Sequence, residues 1–126
     1  MIPKKQKKLQ SWLQLIRVPN LFTVPGDILA GHACVTVFSD FSLWRFSLLC
    51  LASALLYCGG LILNDCFDYD EDRRERPDRP LASGAIELQE AYGAWITGTA
   101  IALIICWFLG PVTFKTALIL TALIIF

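Results

Sequence analysis

LILNDCFDYDEDRRERPDRPLASG, residues 61–84, joins the end of an apolar run to the densest charge in the chain. Seven acids and four arginines lie between Asp65 and Arg79, whereas residues 46–64 and residues 91–114 carry no charged side chain. A helix needs about 20 apolar residues to cross the hydrocarbon core of a bilayer, and a helix in a soluble core rarely lacks charge on every face. The pattern therefore predicts an integral membrane protein in which one membrane helix ends at an acidic cluster.

The predicted fold is an all-α, multi-pass transmembrane helical bundle with three full spans and the start of a fourth. We expect a basic tail over 1–8, spans at about 9–38, 44–63, 88–109 and 114–126, and an Asp-rich loop over 64–84. Prolines and polar residues interrupt the first span, which membrane helices tolerate when neighbours satisfy the freed backbone groups. Only eleven residues follow Lys115, about 16 Å of helix, so we expect the chain to be the N-terminal part of a longer protein.

The balance of charge bears on partners and on orientation. The net charge is zero, which argues against a polyanionic partner such as a nucleic acid. Lysines cluster at residues 4–8 and arginines at residues 73–79, while the other two connections carry only Arg45 and Lys115. The positive-inside rule then predicts a cytoplasmic N-terminus and a cytoplasmic 64–84 loop. The five cysteines show neither a CxxC pair nor zinc-ligand spacing.

The acidic cluster has helical spacing if it continues the second span. Asn64, Asp68 and Asp72 then follow one another at i, i+4 and i+8 with Asp65 beside them, all within about 100° of arc, and Asp70 projects from the opposite side. Carboxylates gathered in this way repel one another unless a cation lies between them. Such hard oxygen ligands suit Mg²⁺, which binds through one or two carboxylates plus substrate phosphates. Arginines after the cluster can supply planar forks for phosphate oxygens.

Three interpretations of this cluster compete. A solvated charged loop is the simplest, but a loop that only needs solubility has no reason to place its carboxylates on one helical face. An EF-hand fails, because Arg73 stands where glycine is needed and Arg79 where a bidentate glutamate is needed. A diphosphate–Mg²⁺ site also explains the location, since a lipid diphosphate has its tail in hydrocarbon and its head at the interface.

Three stretches of the chain resemble one known family. NDCFDYDED (64–72) matches the N-D-x-x-D-x-x-x-D signature of the UbiA-type intramembrane prenyltransferases. RPDRPLASG (76–84) is similar to that family's R-P-L-x-S-G segment, and RVPNLFTVPGDILAG (17–31) resembles its first helix with an R-x-P-N element. The three matches occur in the family's order and cover most of residues 12–90.

The resemblance implies a fold, a reaction and a set of site residues. The fold would be a bundle of about nine membrane helices, of which this chain is a fragment. Members move a prenyl group from a prenyl diphosphate to a lipophilic acceptor, often aromatic, and Mg²⁺ held by two Asp-rich motifs helps the diphosphate leave. By position, the catalytic residues would be Asp65, Asp68 and Asp72, and these would bind the metal together with Asn64.

Other polar residues receive weaker assignments. Four residues, Asn64, Arg79, Arg17 and Asn20, are predicted to bind the diphosphate. Alternatively, Arg79 balances Asp78 or meets lipid headgroups, and Arg17 and Asn20 brace the helix break. Structural roles are expected for Asp27 and His32, and solvated positions that balance the arginines for Asp70, Glu71 and Glu75.

Two classes of function are left open. No second NDxxD occurs in the 126 residues, so the second Asp-rich motif that the resemblance implies is missing and we expect the chain alone to be inactive. The leading interpretation is a membrane prenyltransferase. The alternative is a non-catalytic isoprenoid-binding or carrier membrane protein of the same ancestry, and a plain helical anchor is the weakest option. The resemblance leaves the prenyl length open, and it leaves the acceptor open among hydroxybenzoate, naphthoate, chlorophyllide, haem and glycerophosphate.

Overall fold

The computed structural model describes residues 4–35 and 42–126. Within these ranges every regular element is a helix. In chain order the helices are α1 (Lys4–Leu15), α2 (Val18–Leu21), α3 (Val24–Val35), α4 (Leu43–Phe67), α5 (Tyr69–Glu75), α6 (Leu88–Leu109) and α7 (Pro111–Ile125).

The first predicted span is not one helix. The segment expected at 9–38 is divided into α1, α2 and α3, and the predicted tail over 1–8 is helical from Lys4 onward. The break occurs at Arg17, whose backbone is left-handed with φ 49° and ψ 56°, a conformation that costs a non-glycine residue energy. Pro19 and Pro25 then stand in the first turns of α2 and α3, where a missing N–H is tolerated. The predicted end of this span, residues 36–38, lies outside the described ranges.

The later helices follow the predicted pattern with shifted ends. The run expected at 44–63 forms α4, which extends through Asn64 to Phe67 as the spacing of the acids suggested. The run expected at 88–109 forms α6 with those bounds. Its N-terminus is capped by Glu87 and Glu90 in a capping box. Gly110, at φ 132°, turns the chain so that α7 begins at Pro111 instead of near 114.

Two helices in the described residues, α4 and α6, are long and apolar enough to cross a membrane, and α7 is a shorter apolar helix. Their outward sides carry large exposed apolar residues such as Leu51, Ile96 and Phe108. Side chains of this kind are stable where they face lipid and costly where they face water. The described part of the fold is therefore a helical membrane assembly, with two candidate spans.

Small side chains bring α4 and α6 close together. Ala52 and Leu56 of α4 pack against Ala102 and Cys106 of α6, and Ala117 of α7 completes this core. Gly59 of α4 is buried against α6 as well. Small residues at membrane helix interfaces allow close backbone approach, because dispersion contacts replace the hydrophobic effect there.

Gly59→Val should separate α4 from α6. A Cβ atom at Gly59 would lie 3.3 Å from Trp95 Cδ1 and 3.4 Å from Thr99 Oγ1, so a branched side chain overpacks the interface at a cost of about 1–3 kcal/mol. Unfolding in SDS, followed by tryptophan fluorescence, measures the loss. The matched control is Gly93→Val, because nothing lies within 4 Å of the position that a Cβ would take at Gly93. Equal losses for the two variants would exclude close packing as the cause.

A second core fixes the site at one end of this pair. Leu15 of α1, Ile62 and Cys66 of α4, Leu81 and Ile86 of the 76–87 loop, and Ala91 of α6 form one buried cluster. Ile86 is 1% exposed, and the loop is closed by a hydrogen bond from Ile86 N to Pro80 O at 3.2 Å. The cluster holds α1, the end of α4 and the loop in a fixed arrangement around the acidic residues.

Candidate functional site

The acidic residues lie at the junction of α4 and α5. Asp68 separates the two helices with φ −80° and ψ 2°, yet the backbone ladder continues, since Asp68 N donates to Asn64 O at 3.0 Å and Asp72 N to Asp68 O at 2.8 Å. The helical spacing inferred from the sequence therefore holds across the junction. One consequence is direct: Asn64 Nδ2 donates to Asp68 Oδ2 at 2.9 Å.

Asp65 and Asp72 form a second group around Arg79. Arg79 Nη1 lies 2.7 Å from Asp72 Oδ2 and 3.6 Å from Asp65 Oδ1. The residues Asp65 and Asp72 are only 8% and 5% exposed. A buried carboxylate needs such a partner, because desolvation of an uncompensated charge costs several kcal/mol. The hydrogen bond to Asp72 also raises the pKa of Arg79 above its ordinary value, against the opposing effect of burial. Arg79 thus balances Asp72 and Asp65, and Asp78 is not among its ion-pair partners in the described part of the chain.

These two groups do not form a ready-made cage of carboxylates. Among residues 4–35 and 42–126, no cluster of three or more His, Cys, Asp or Glu side chains is arranged to hold a metal ion. Asn64 and Asp68 offer hard oxygen atoms on one side, and Arg79 stands between the other two acids. This donor chemistry fits Mg²⁺, which commonly takes one or two carboxylates and completes its shell with waters and phosphates. The full ligand set of Asn64, Asp65, Asp68 and Asp72 stays a prediction.

A cavity of 150 Å³ opens beside the Asp65 group. Its walls are Gln14, Leu15 and Arg17 from the end of α1 and its break, Asp65 from α4, and Arg79 and Pro80 from the loop. Arg17 and Arg79 both lie close enough to Asp65 to attract its carboxylate. The left-handed backbone of Arg17 places it here, and strained residues of this kind cluster at functional sites. The structure therefore brings together two of the four residues predicted to bind a diphosphate, Arg17 and Arg79, with space between them.

Asn20, another of these residues, makes a different contact. It is not among the residues that line the 150 Å³ cavity, and its Nδ2 donates to Tyr57 Oη at 3.1 Å. Tyr57 lies on α4 seven residues before Asn64, so the two share one side of the helix about 10 Å apart. Sequence reasoning missed Tyr57. Two signals in the sequence could have indicated it. Tyr57 has helical spacing from Asn64, and a hydroxyl inside an uncharged span needs a hydrogen-bond partner.

Tyr57→Phe should weaken the contact between the first segment and α4. Polar contacts between membrane helices average about 0.6 kcal/mol and reach about 1.7 kcal/mol, so we expect a loss in that range upon SDS unfolding. In an Asn20→Ala background the same substitution should cost nothing, because the donor is already absent. An unchanged cost in that background would show that the hydroxyl acts through another partner.

An apolar cavity of 370 Å³ lies along the same side of α4. Ser53, Tyr57 and Gly60 belong to its α4 wall, and Leu120 and Ile124 of α7 form the facing wall. At 100° per residue, the line through Ser53, Tyr57 and Gly60 continues to Asn64. The Asn64–Asp68 pair therefore stands at one end of an apolar surface, and the Arg17–Asp65–Arg79 cavity lies on the adjacent side of the helix.

The remaining assignments concern charged residues outside this arrangement. Asp70, Glu71 and Glu75 are exposed, as expected for solvated acids, and Asp27 is exposed as well. The side chain of His32 lies outside the described part of the structure. Arg73 stacks on Tyr69 with its guanidinium carbon 5.6 Å from the ring centroid, a cation–π contact local to α5.

Comparison with known proteins gives consistent results. The model of the UbiA prenyltransferase family matches residues 27–126. Three of the similar proteins are the digeranylgeranylglyceryl phosphate synthases of Sulfolobus acidocaldarius, Metallosphaera sedula and Methanocaldococcus jannaschii. They are 34%, 30% and 37% identical over 92%, 94% and 68% of this chain. The matched segments cover 42%, 41% and 30% of those proteins, so this chain spans less than half of their length. No solved structure matches.

The residues that the family model matches include most of the features described above. It begins at Asp27 and includes the whole of α4, the acidic junction, the 76–87 loop, α6 and α7. The acidic residues 65–72, Arg79 and the two membrane-length helices all lie within the matched residues 27–126. This chain belongs to the UbiA prenyltransferase family.

Proposed function

We propose that the protein to which this chain belongs is a membrane prenyltransferase, which moves a prenyl group from a prenyl diphosphate to a lipophilic acceptor. The single observation that carries the proposal is the junction of α4 and α5. There a carboxylate–amide pair, Asn64–Asp68, and an arginine-lined cavity stand together at the end of a membrane-length helix. A prenyl diphosphate has the same boundary between a long apolar part and a concentrated negative charge.

The proposed roles follow from the contacts. Asn64 and Asp68, with Asp65 and Asp72 as further ligands, would hold Mg²⁺, which would supply positive charge to offset that of the diphosphate leaving group. Arg17 and Arg79 would donate to phosphate oxygens through their planar forks. Arg79 already holds two buried acids, so it is placed to couple the diphosphate position to the position of those acids. Asn20 supports the first segment through Tyr57.

The names of the relatives favour one of the acceptor classes that the resemblance left open. Their names specify a product with two geranylgeranyl groups on glyceryl phosphate. We propose that the prenyl group is geranylgeranyl and that the acceptor is a lipid glyceryl phosphate that already carries one such chain. Two arginines at the cavity then suit a site that meets phosphate groups of both substrates.

Binding can be tested on the chain itself. The chain in nanodiscs is titrated with geranylgeranyl diphosphate, with Mg²⁺ and then with EDTA, and heat release is measured. We expect saturable binding that requires the metal. Binding of equal strength in EDTA would contradict the proposed metal site, and no binding in either condition would contradict the diphosphate site.

Catalysis needs a separate test, because the second Asp-rich motif implied by the family is not in this sequence. The chain alone should form no prenylated product even when it binds the diphosphate. Joined to the part of the Sulfolobus acidocaldarius enzyme that its match leaves uncovered, it should form product from geranylgeranyl diphosphate and the glyceryl phosphate acceptor. Product from the isolated chain would overturn the first expectation.

The non-catalytic alternative rests on the 370 Å³ apolar cavity, which could hold an isoprenoid chain without any reaction. It predicts binding of an isoprenoid alcohol as tight as binding of the diphosphate, since the cavity makes no use of charge. A strong preference for the diphosphate in the same titration favours the enzyme.

A further inference from the structure

Helix α1 is separate from the helices α2 and α3 that follow it. It ends at Leu15, and the left-handed Arg17 redirects the chain before α2 and α3. Because α1 has twelve residues, it is about 18 Å long and too short to cross a bilayer. It therefore needs a position other than a transmembrane one.

Two contacts fix the level of α1 relative to the candidate spans. Lys8 Nζ lies 2.6 Å from Glu90 Oε1, in the first turn of α6. Leu15 is buried against Cys66, in the last turn of α4. The start of one membrane-length helix and the end of the other lie on the same surface of a membrane. These contacts therefore place α1 along that surface.

The composition of α1 is strongly basic. It contains Lys4, Lys5, Lys7 and Lys8, and the first acidic residue of the chain is Asp27. Lys8 is paired with Glu90 of α6. The other three lysines have no acidic residue on α1 to offset their charge. A cluster of this kind next to a membrane helix attracts anionic lipid headgroups, each lysine contributing severalfold to the affinity.

One side of α1 is apolar and uncovered. Leu9 and Leu13, four residues apart, are 59% and 45% exposed and share a side of the helix. Trp12, Leu15 and Ile16 instead pack against the core that holds the acidic junction. The helix thus has a packed side and a separate exposed leucine side.

We propose that α1 lies in the plane of the membrane surface and binds anionic phospholipids, with Leu9 and Leu13 inserted between the acyl chains. A basic helix with an exposed apolar side binds interfaces in this way. A lipid surface is favoured over a protein partner because the two fixed contacts already hold α1 at the end of the candidate spans. The same helix supplies Gln14 and Leu15 to the arginine-lined cavity, so lipid binding would also steady that wall.

Hydrogen exchange of residues 4–15 tests this inference. The chain is placed in nanodiscs of phosphatidylcholine alone or mixed with phosphatidylglycerol. Anionic lipid should slow exchange on the order of tenfold, and high salt should remove the difference. The triple variant Lys4→Gln, Lys5→Gln and Lys7→Gln should exchange equally in both discs. The control, Arg45→Gln with Lys115→Gln, removes charges from other connections and should behave as the wild type.

A second variant tests the leucines without altering charge. Leu9→Gln with Leu13→Gln should exchange faster than the wild type in both kinds of disc. Because both side chains are exposed, the packed core should be unaffected, and Trp12 fluorescence checks this. Equal exchange of the wild type in the two lipids would overturn the proposal. The proposal would also be overturned if residues 4–15 exchange more slowly only when a soluble cell fraction is added. That result would indicate that α1 binds a protein partner.

Discussion

Asp68→Asn should abolish Mg²⁺-dependent binding of the prenyl diphosphate while leaving the fold intact. Asp68 is the acid that stands outside the Arg79 group and contacts Asn64. Removing a side chain that only orients a metal ligand lowers the affinity for the metal by about 10- to 100-fold. Removing a ligand itself should therefore lower the Mg²⁺-dependent affinity for the diphosphate by at least about 100-fold. The amide that replaces the carboxylate can still accept from Asn64 Nδ2, so the stability should change by less than about 0.5 kcal/mol.

The matched control for this prediction is Asp70→Asn. It makes the same chemical change two residues away, at an exposed position on the other side of the cluster. Titration calorimetry on the two variants in nanodiscs distinguishes the loss of a metal ligand from a general effect of charge. In the protein joined to the remaining part of the Sulfolobus acidocaldarius enzyme, Asp68→Asn should also slow product formation more than Asp70→Asn does. If the two variants bind equally weakly, the diphosphate responds only to net charge and the metal site is wrong.

Local rules explain why much of the fold could be predicted from the sequence. Charge-free runs define α4 and α6, because the cost of burying charge in lipid acts on each helix separately. The i, i+4 relation that joins Asn64 to Asp68 is also local, since it depends only on helix geometry. For the same reason the continuation of α4 beyond the apolar run could be inferred from four polar residues.

Contacts between distant segments could not be predicted in this way. The sequence offered Asp78 as the neighbour of Arg79, but the fold of the loop around Leu81 and Ile86 turns Arg79 back onto Asp72 and Asp65. The contact of Asn20 with Tyr57 joins residues that are 37 positions apart. The break at Arg17 has a similar origin, because the prolines indicated that the span is interrupted but not which residue takes the left-handed conformation.

Arg79→Met should be the most destabilising single substitution at the site. Two nearly buried carboxylates, Asp65 and Asp72, would lose the guanidinium that lies 3.6 Å and 2.7 Å from them. Removing one partner of a buried ion pair costs about 3–5 kcal/mol, because the remaining charge is left without compensation. Arg79 is partly exposed, so solvent lowers the expected loss to the bottom of that range, about 3 kcal/mol.

SDS unfolding of the chain measures this loss, with Arg76→Met as the control. Arg76 is exposed and lies three residues earlier in the same loop, so its loss should stay within about 0.5 kcal/mol. Arg79→Lys should fall between the two, since an ammonium keeps the charge but lacks the planar fork. Neutralising Asp65 with asparagine in the Arg79→Met background should recover part of the stability, because one of the two orphaned charges is removed. If that double variant is no more stable than Arg79→Met alone, the loss comes from packing of the arginine stem and not from the buried acids.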